Sequence, residues 1–379
     1  MSRRLVPVEL LMLIVHQVQR TRNLKNVRLA SKLLSNLAAP LLFRTVVVKE
    51  KIYSAEWLVG LQEGTSEARD AVKEVDFEGA SYQEIAAATD AQNEETRTAL
   101  NAAYAGLHRF KNLQRLDFCF EAFDIEHIPE FETLCDAPSH FRLLQLGLFG
   151  GLAAHPLPRL SSLEIFRLLP LHDKLLTDET FLAIFTSLRR LDISVSAQGE
   201  PVPLEDEEFF QSTLPLILQH ATALDSLSLH RTYPRAVNFS SIHFPKLTFL
   251  QLDNFILEPT RPDYDALNFI VRHKATLKTL ELTDCCVYGG EQEIHEDGVY
   301  PRPWGDVLKT VEKQLVHLRS FRIESIENPP FAFEYVVLDS DRCYIVTDEA
   351  RIGMADKDEA ALKSLMSALQ SRSLTEDIL

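Results

Sequence analysis

Apolar and polar positions in this 379-residue chain recur in one short frame, apolar-x-x-apolar-x-apolar, between residues 72 and 323. Nine copies can be aligned: Val72/Val75/Phe77, Leu113/Leu116/Phe118, Leu143/Leu146/Leu148, Leu160/Leu163/Ile165, Leu188/Leu191/Ile193, Leu224/Leu227/Leu229, Leu247/Leu250/Leu252, Leu277/Leu280/Leu282 and Leu318/Phe321/Ile323. In each copy the last two apolar residues alternate with polar ones, the period of a strand with one buried face. Copy starts are 41, 30, 17, 28, 36, 23, 30 and 41 residues apart. The 17-residue step from Leu143 to Leu160 barely leaves room for a helix, so one of those two copies is suspect.

Between several copies the period lengthens to that of a helix. Residues 178–188 place Phe181, Leu182, Phe185 and Leu188 on one face behind Asp178 as N-cap. Residues 263–277 do the same with Leu267, Ile270, Val271 and Lys274 after Asp263, and residues 306–318 with Leu308, Val311, Leu315 and Leu318. Within 205–220, Pro215 must kink a helix or begin one. Strand followed by helix, repeated, predicts an α/β solenoid in which each unit buries its stripe against the next.

The ends differ from this middle. Residues 6–46 hold a stripe of Leu10, Leu11, Ile14, Val15 and Val18, then a second helical stretch with Leu29, Leu33, Leu34 and Leu37 before Pro40. A unit of about 45 residues buries too little surface to be comfortably stable alone, so it must pack against the repeats, a partner or both. At the other end, 333–347 reads as two strands around an Asp-Ser-Asp turn and 356–371 as an amphipathic helix, together a cap for the array. The expected organisation is a helical module at 1–48, the repeats at 49–328 and a capping hairpin and helix at 329–379.

The repeated frame resembles irregular leucine-rich repeats, with LKTLELTDC (277–285) completing the longer L-x-x-L-x-L-x-x-C form. That resemblance implies a horseshoe with parallel strands on the concave face and helices on the convex one. The N-terminal segment resembles an F-box of fungal type, carried by Pro7, Glu9, Leu10, Leu11, Ile14, Leu24, Val27, Leu29, Ser31 and Lys32. It departs from the pattern at Val6, Ala30 and Leu34, and has one extra residue between Val18 and Leu24. An F-box ahead of leucine-rich repeats implies a substrate-recognition subunit of a Skp-cullin-F-box ubiquitin ligase. The contacts to the Skp adaptor would come from Pro7, Glu9, Leu10, Leu11, Ile14, Leu24, Val27 and Leu29, and through that adaptor the chain would reach a cullin. The alternative is a leucine-rich-repeat scaffold whose N-terminal helices only cap the array; a more distant one is a hydrolase hidden in the insertions.

Charge changes the picture in one respect. Residues 1–50 carry nine Lys/Arg against two acids, a net of +7 on a chain whose total is −16. A basic head on an acidic body points to two surfaces for two partners, and the resemblance implies an acidic adaptor for the head. On the strands, polar positions flanking the buried pair include Arg115, Asp117, Glu164, Arg190, Asp192, His230, Asp253, Glu281 and Arg322. Glu74, Asp76, Glu78, Glu324, Phe149, Phe166 and Phe249 fall in the same set. This face is expected to recruit a target protein with a basic or mixed polar-aromatic epitope, with residues 286–303 as a candidate overhanging loop.

Other classes find little support. An acidic body repels phosphate, so no nucleic-acid partner is expected. The apolar run near the N-terminus is interrupted by Pro7 and Glu9, and no stretch approaches a membrane span. Five cysteines without a C-x-x-C read as reduced thiols, and Asn238-Phe239-Ser240 as a chance glycosylation match. A soluble protein of the cytoplasm or nucleus is expected. No nucleophile elbow, phosphate loop or HExxH spacing occurs, so no catalytic, cofactor-binding or metal-binding residues are assigned.

Overall fold

A computed structural model describes residues 8–18, 21–120, 140–196, 208–231, 237–259, 261–291, 302–325, 333–338, 344–346 and 348–376. The chain is mixed α/β, with helices and a large parallel sheet, and divides into two compact units, Met1–Ile165 and Phe166–Leu379.

The first unit begins with three helices, α1 Val8–His16, α2 Thr21–Ala30 and α3 Lys32–Leu42. Ser31 separates the last two by capping α3, its hydroxyl accepting a hydrogen bond from the Leu34 amide at 3.2 Å. The helices enclose a small core of Val15, Leu24 and Ala38, against which Val18, Val27, Leu34, Leu37, Leu41 and Leu42 pack. Strand β1 (Thr45–Lys49) follows, then α4 (Ile52–Glu63), α5 (Ser66–Ala71), β2 (Glu74–Glu78), α6 (Tyr82–Ala87), α7 (Asp90–Ala105), β3 (Arg115–Cys119) and α8 (His140–Ala153). β1, β2 and β3 run parallel, with Val46, Val75 and Leu116 in one register row and Val48, Phe77 and Phe118 in the next. Beneath them Phe77, Tyr104, Phe118, Phe120 and Phe149 form a continuous aromatic core with centroid separations of 5.5–6.2 Å.

One of the nine expected strands is a helix. The Leu143 copy lies in α8, where Leu144, Leu148 and Leu152 are buried and Leu143 is exposed, so the 3.6-residue period of the segment prevails over its chance match to the frame. Phe149 belongs to the aromatic core of this unit, which removes it from the polar strand face where the frame had placed it. The glycines of α8 have a packing reason at one position: a Cβ at residue 151 would stand 2.6 Å from the Asn101 carbonyl oxygen, so only glycine lets α8 lie directly on α7. At its other end α8 is fastened by His140. Arg97, which can only donate, bonds His140 Nδ1 at 2.8 Å, so the ring hydrogen sits on Nε2 and is donated to the buried Glu50.

β4 (Ser162–Leu168) contains the division between the units. The second unit continues with a short helix α9 (Glu179–Leu182), β5 (Arg190–Val195), α10 (Leu214–His220), β6 (Ser226–Arg231), β7 (Phe249–Asp253), β8 (Ile256–Leu257), α11 (Ala266–Arg272), β9 (Thr279–Thr283), β10 (Cys286–Glu291), α12 (Trp304–Gln314), β11 (Ser320–Glu324), β12 (Glu334–Leu338), β13 (Tyr344–Val346) and α13 (Asp348–Glu376). Strands β5, β6, β7, β9 and β11 are parallel neighbours in chain order. Asp178 caps α9 as its position suggests, whereas α11 is capped by Asp265, two residues later than Asp263. Pro215 stands in the first turn of α10, where its missing N–H costs nothing.

A second, four-stranded sheet in the order β13-β12-β10-β8 was not apparent from the frame. It arises because the chain leaves β7 and β9 through Asn254 and Asp284, both in the left-handed region (φ 61° and 45°), and enters a new strand two residues later. Asparagine and aspartate are the non-glycine residues that tolerate this conformation best, and the Asn254 amide also donates to the Arg231 carbonyl at 2.8 Å. The expected C-terminal hairpin forms as β12 and β13, antiparallel.

α13 buries Ala361, Leu365 and Leu369 at helical spacing, and hydrogen bonds fix it. Asp358 accepts from the Gly305 amide and the Tyr335 hydroxyl, both at 2.6 Å, and Tyr335 accepts from the Trp304 amide at 3.0 Å. Arg372 donates to the carbonyls of Leu315 and Glu312 at the end of α12.

Candidate interaction surfaces

Two kinds of surface stand out, one apolar and one ionic. The apolar one lies on the N-terminal helices. Leu10, Met12, Leu13 and Ile14 of α1 are 44–62% exposed, Leu29 of α2 is 84% exposed and Leu33 of α3 is 48% exposed. Single exposed leucines are ordinary, but six on three short helices, above a core those helices already share, exceed what the fold itself uses. Of the expected adaptor contacts, Leu10, Ile14 and Leu29 belong to this face, and Leu11 is half-buried. Leu24 is buried in the shared core and the half-buried Val27 packs against it, so both help hold the module together. Pro7 and the side chain of Glu9 lie outside the described residues. Sequence reasoning passed over Met12 and Leu13, because an amphipathic-stripe count stops at the positions it assigns to one side of a helix.

The ionic surface follows the polar positions of the strands. In the first unit, Arg115 NH2 donates to Asp117 at 2.9 Å and to Glu164 at 3.4 Å. In-register with Asp117 on the adjacent strand stands Asp76. Burial and then repulsion from Asp117 push its carboxyl above the usual carboxylate range, only partly opposed by Arg115, and its shielded Oδ1 has no hydrogen-bond partner. Glu74 is neutralised separately by Arg44 at 3.2 Å. Tyr104 lies on the opposite side of these strands, packed on Phe77 and Phe118, with burial pushing its phenol well up.

In the second unit a histidine takes the place of the arginine. His230 lies between two carboxylates, Nε2 at 3.3 Å from Asp192 and Nδ1 at 3.3 Å from Asp253. Burial works against its charge, yet the two aspartates dominate and push its pKa up to about 9, so the ring is a cation at neutral pH. Ser228, buried, sits beside this trio on β6. Glu281 and Arg322 face each other in register on β9 and β11, and Arg322 also bonds Glu324 at 2.7 Å. Arg190 is exposed on β5. Sequence reasoning therefore named the residues of two constellations, Arg115–Asp117–Glu164 and Asp192–His230–Asp253. It did not foresee that one would hold a cation squarely between its two carboxylates and the other would leave Asp76 uncompensated, since that depends on register between strands.

Of residues 286–303, only 286–291 and 302–303 are described; Arg302 is fixed at 2.7 Å to the buried Asp265, and the rest of the candidate loop lies outside the described residues. Among the described residues, no group of three or more His, Cys, Asp or Glu is placed to hold a metal ion, and no helix is long and apolar enough to cross a membrane. No family model matches the chain, and a search of curated proteins finds no significant match.

Proposed function

We propose that the chain is the substrate-recognition subunit of a Skp-cullin-F-box ubiquitin ligase, built as an F-box followed by a leucine-rich-repeat solenoid and acting in the cytoplasm or nucleus. The observation that carries this reading is the surplus apolar face of α1, α2 and α3, in which Leu10, Leu13, Ile14, Leu29 and Leu33 remain exposed above an internal core. Covering a half-exposed leucine is worth roughly 1 kcal/mol, so five such side chains supply several kcal/mol toward association before ordering costs. Lys25 and Lys32 on the same helices favour an acidic adaptor, speeding encounter more than tightening the complex. The strand face then presents a target protein of basic or mixed character, with Arg115, Asp117 and Glu164 at its more acidic part. The chain's contribution is proximity: it raises the local concentration of target near the transfer machinery and makes no bonds itself.

The test is a binding titration of the full-length chain against purified Skp adaptor, with Leu13→Asp/Ile14→Asp as the comparison. Saturable binding by the wild type, weakened by about a hundredfold or more in a variant with unchanged circular dichroism, is the expected result. If a folded wild type does not bind, the inward-facing Leu24 and Val27 become the main point, and the three helices are a cap on a repeat scaffold.

A further inference from the structure

Between the end of α3, the helix α5 and the residue preceding β2, the first unit contains a cavity of about 380 Å³ that none of the surfaces above uses. That size lies at the lower end of the range typical of small-molecule sites. Pro40, Leu41 and Ala71 make one apolar wall, Arg44 and Lys73 bring cationic groups, and Glu67 and Asp70 bring carboxylates. Pro40 lies inside α3 and has no N–H to return to the carbonyl of Asn36, which loosens the helix where it meets the cavity.

The charges are not used up by one another. Arg44 is engaged by Glu74, but its pairing leaves donors over, since a guanidinium carries five. Among the described residues, the Glu67 carboxylate and the Lys73 ammonium, both exposed, have no hydrogen-bond or ion-pair partner. Acids and bases thus line one cavity without Glu67 or Lys73 being paired.

We propose that this cavity binds a small zwitterion with an aliphatic body, a free aliphatic amino acid, whose ammonium is held by Asp70 and Glu67 and whose carboxylate is held by Lys73 and the spare donors of Arg44. The aliphatic body covers Pro40, Leu41 and Ala71. A bound molecule bridges α3 to α5, and so stiffens the joint between the N-terminal helices and the first pair of parallel strands. The inference is independent of the ubiquitin-ligase reading, because it requires neither an adaptor nor a target.

Isothermal titration of the full-length chain with L-leucine, N-acetyl-L-leucine and L-leucinamide separates the two charged ends. Leucine is expected to bind saturably with a Kd near or below about 1 mM, and loss of either the ammonium or the carboxylate to weaken it by about tenfold or more. Asp70→Asn and Lys73→Gln should each produce a similar loss with the thermal midpoint of the unliganded chain unchanged or raised. Three results overturn the proposal: no saturable heat with leucine, equal binding of all three compounds, which marks a merely apolar groove, or full binding by both variants.

Discussion

In the second unit, His230 stands between Asp192 and Asp253 and becomes a cation that offsets one of their two charges, whereas in the first, Asp76 stands beside Asp117 with Arg115 already committed elsewhere. Both arrangements occupy the same kind of position, polar residues flanking the buried pair of a parallel strand. The same contrast extends beyond the strands. The second unit gives the buried Asp358 and Asp265 hydrogen-bonding or ion-pair partners, while in the first the exposed Glu67 and Lys73 line a cavity without pairing. Breaking a satisfied buried ion is costly, and leaving one unsatisfied costs stability continuously. At these sites the second unit uses its ions in its own fold, whereas in the first Glu67 and Lys73 stay open to an outside zwitterion.

The largest test of that contrast is Asp358→Ala. It strands the Gly305 amide and the Tyr335 hydroxyl in a site where Asp358 is 1% exposed. A loss of about 3 kcal/mol in urea unfolding is expected, and a loss below about 1 kcal/mol would mean that α13 is held by its leucines alone.

Next come two pH dependences of opposite sign in the second unit. His273 has both ring nitrogens assigned: Nδ1 donates to the Phe269 carbonyl at 2.9 Å, and Nε2 accepts from the Phe244 amide at 3.0 Å. Burial, with repulsion from His243 and Arg272, lowers its pKa from 6.5 to about 4. The unfolded chain then binds the proton more readily, so stability is lost as pH falls from 6.5 toward 4, by up to about 3 kcal/mol. His230, raised to about 9, contributes fully below 6.5 and loses its contribution as pH rises from 6.5 through 9, about 2 kcal/mol for a partly solvated group. Urea midpoints at pH 4.5, 6.5 and 9 should show both declines, with His273→Gln removing the acid one and His230→Gln the alkaline one.

The smallest effect sharpens the comparison most. Asp192→Asn should destabilise by about 1–2 kcal/mol, because it takes a carboxylate from a charged imidazole. Asp76→Asn should be neutral or stabilising by up to about 1 kcal/mol, because it removes a carboxylate that its neighbours repel. Equal losses in the two variants would dissolve the distinction between the faces.

Much of the fold is legible in the sequence wherever one face of an element is buried. The frame found β2, β3, β4, β5, β6, β7, β9 and β11, because alternation of Leu or Phe with charged residues leaves a strong period-2 signal. It misassigned Leu143, where a helix shares the frame's spacing by coincidence, and it missed β1, whose Val46, Val47 and Val48 are uninterrupted by polar residues. β8 and β10 escaped for a different reason: Ile256, Leu257, Cys286 and Val287 are buried on both sides, so no alternation marks them. For the surfaces, residue type told which side chains carry charge, but which carboxylate has a cation within reach is often fixed by a partner on another strand, as Arg115 to Glu164 illustrates.

The left-handed residues at 254 and 284 carry one more consequence. Phe249–Leu257 and Thr279–Val287 follow the same path at a constant offset of 30 residues, pairing Phe249 with Thr279 in one sheet and Ile256 with Cys286 in the other. Both ladders advance by the same increment, so the two sheets turn the same corner in step. Passage from the first sheet to the second thus depends at each corner on a residue that tolerates the left-handed conformation: asparagine, aspartate or glycine.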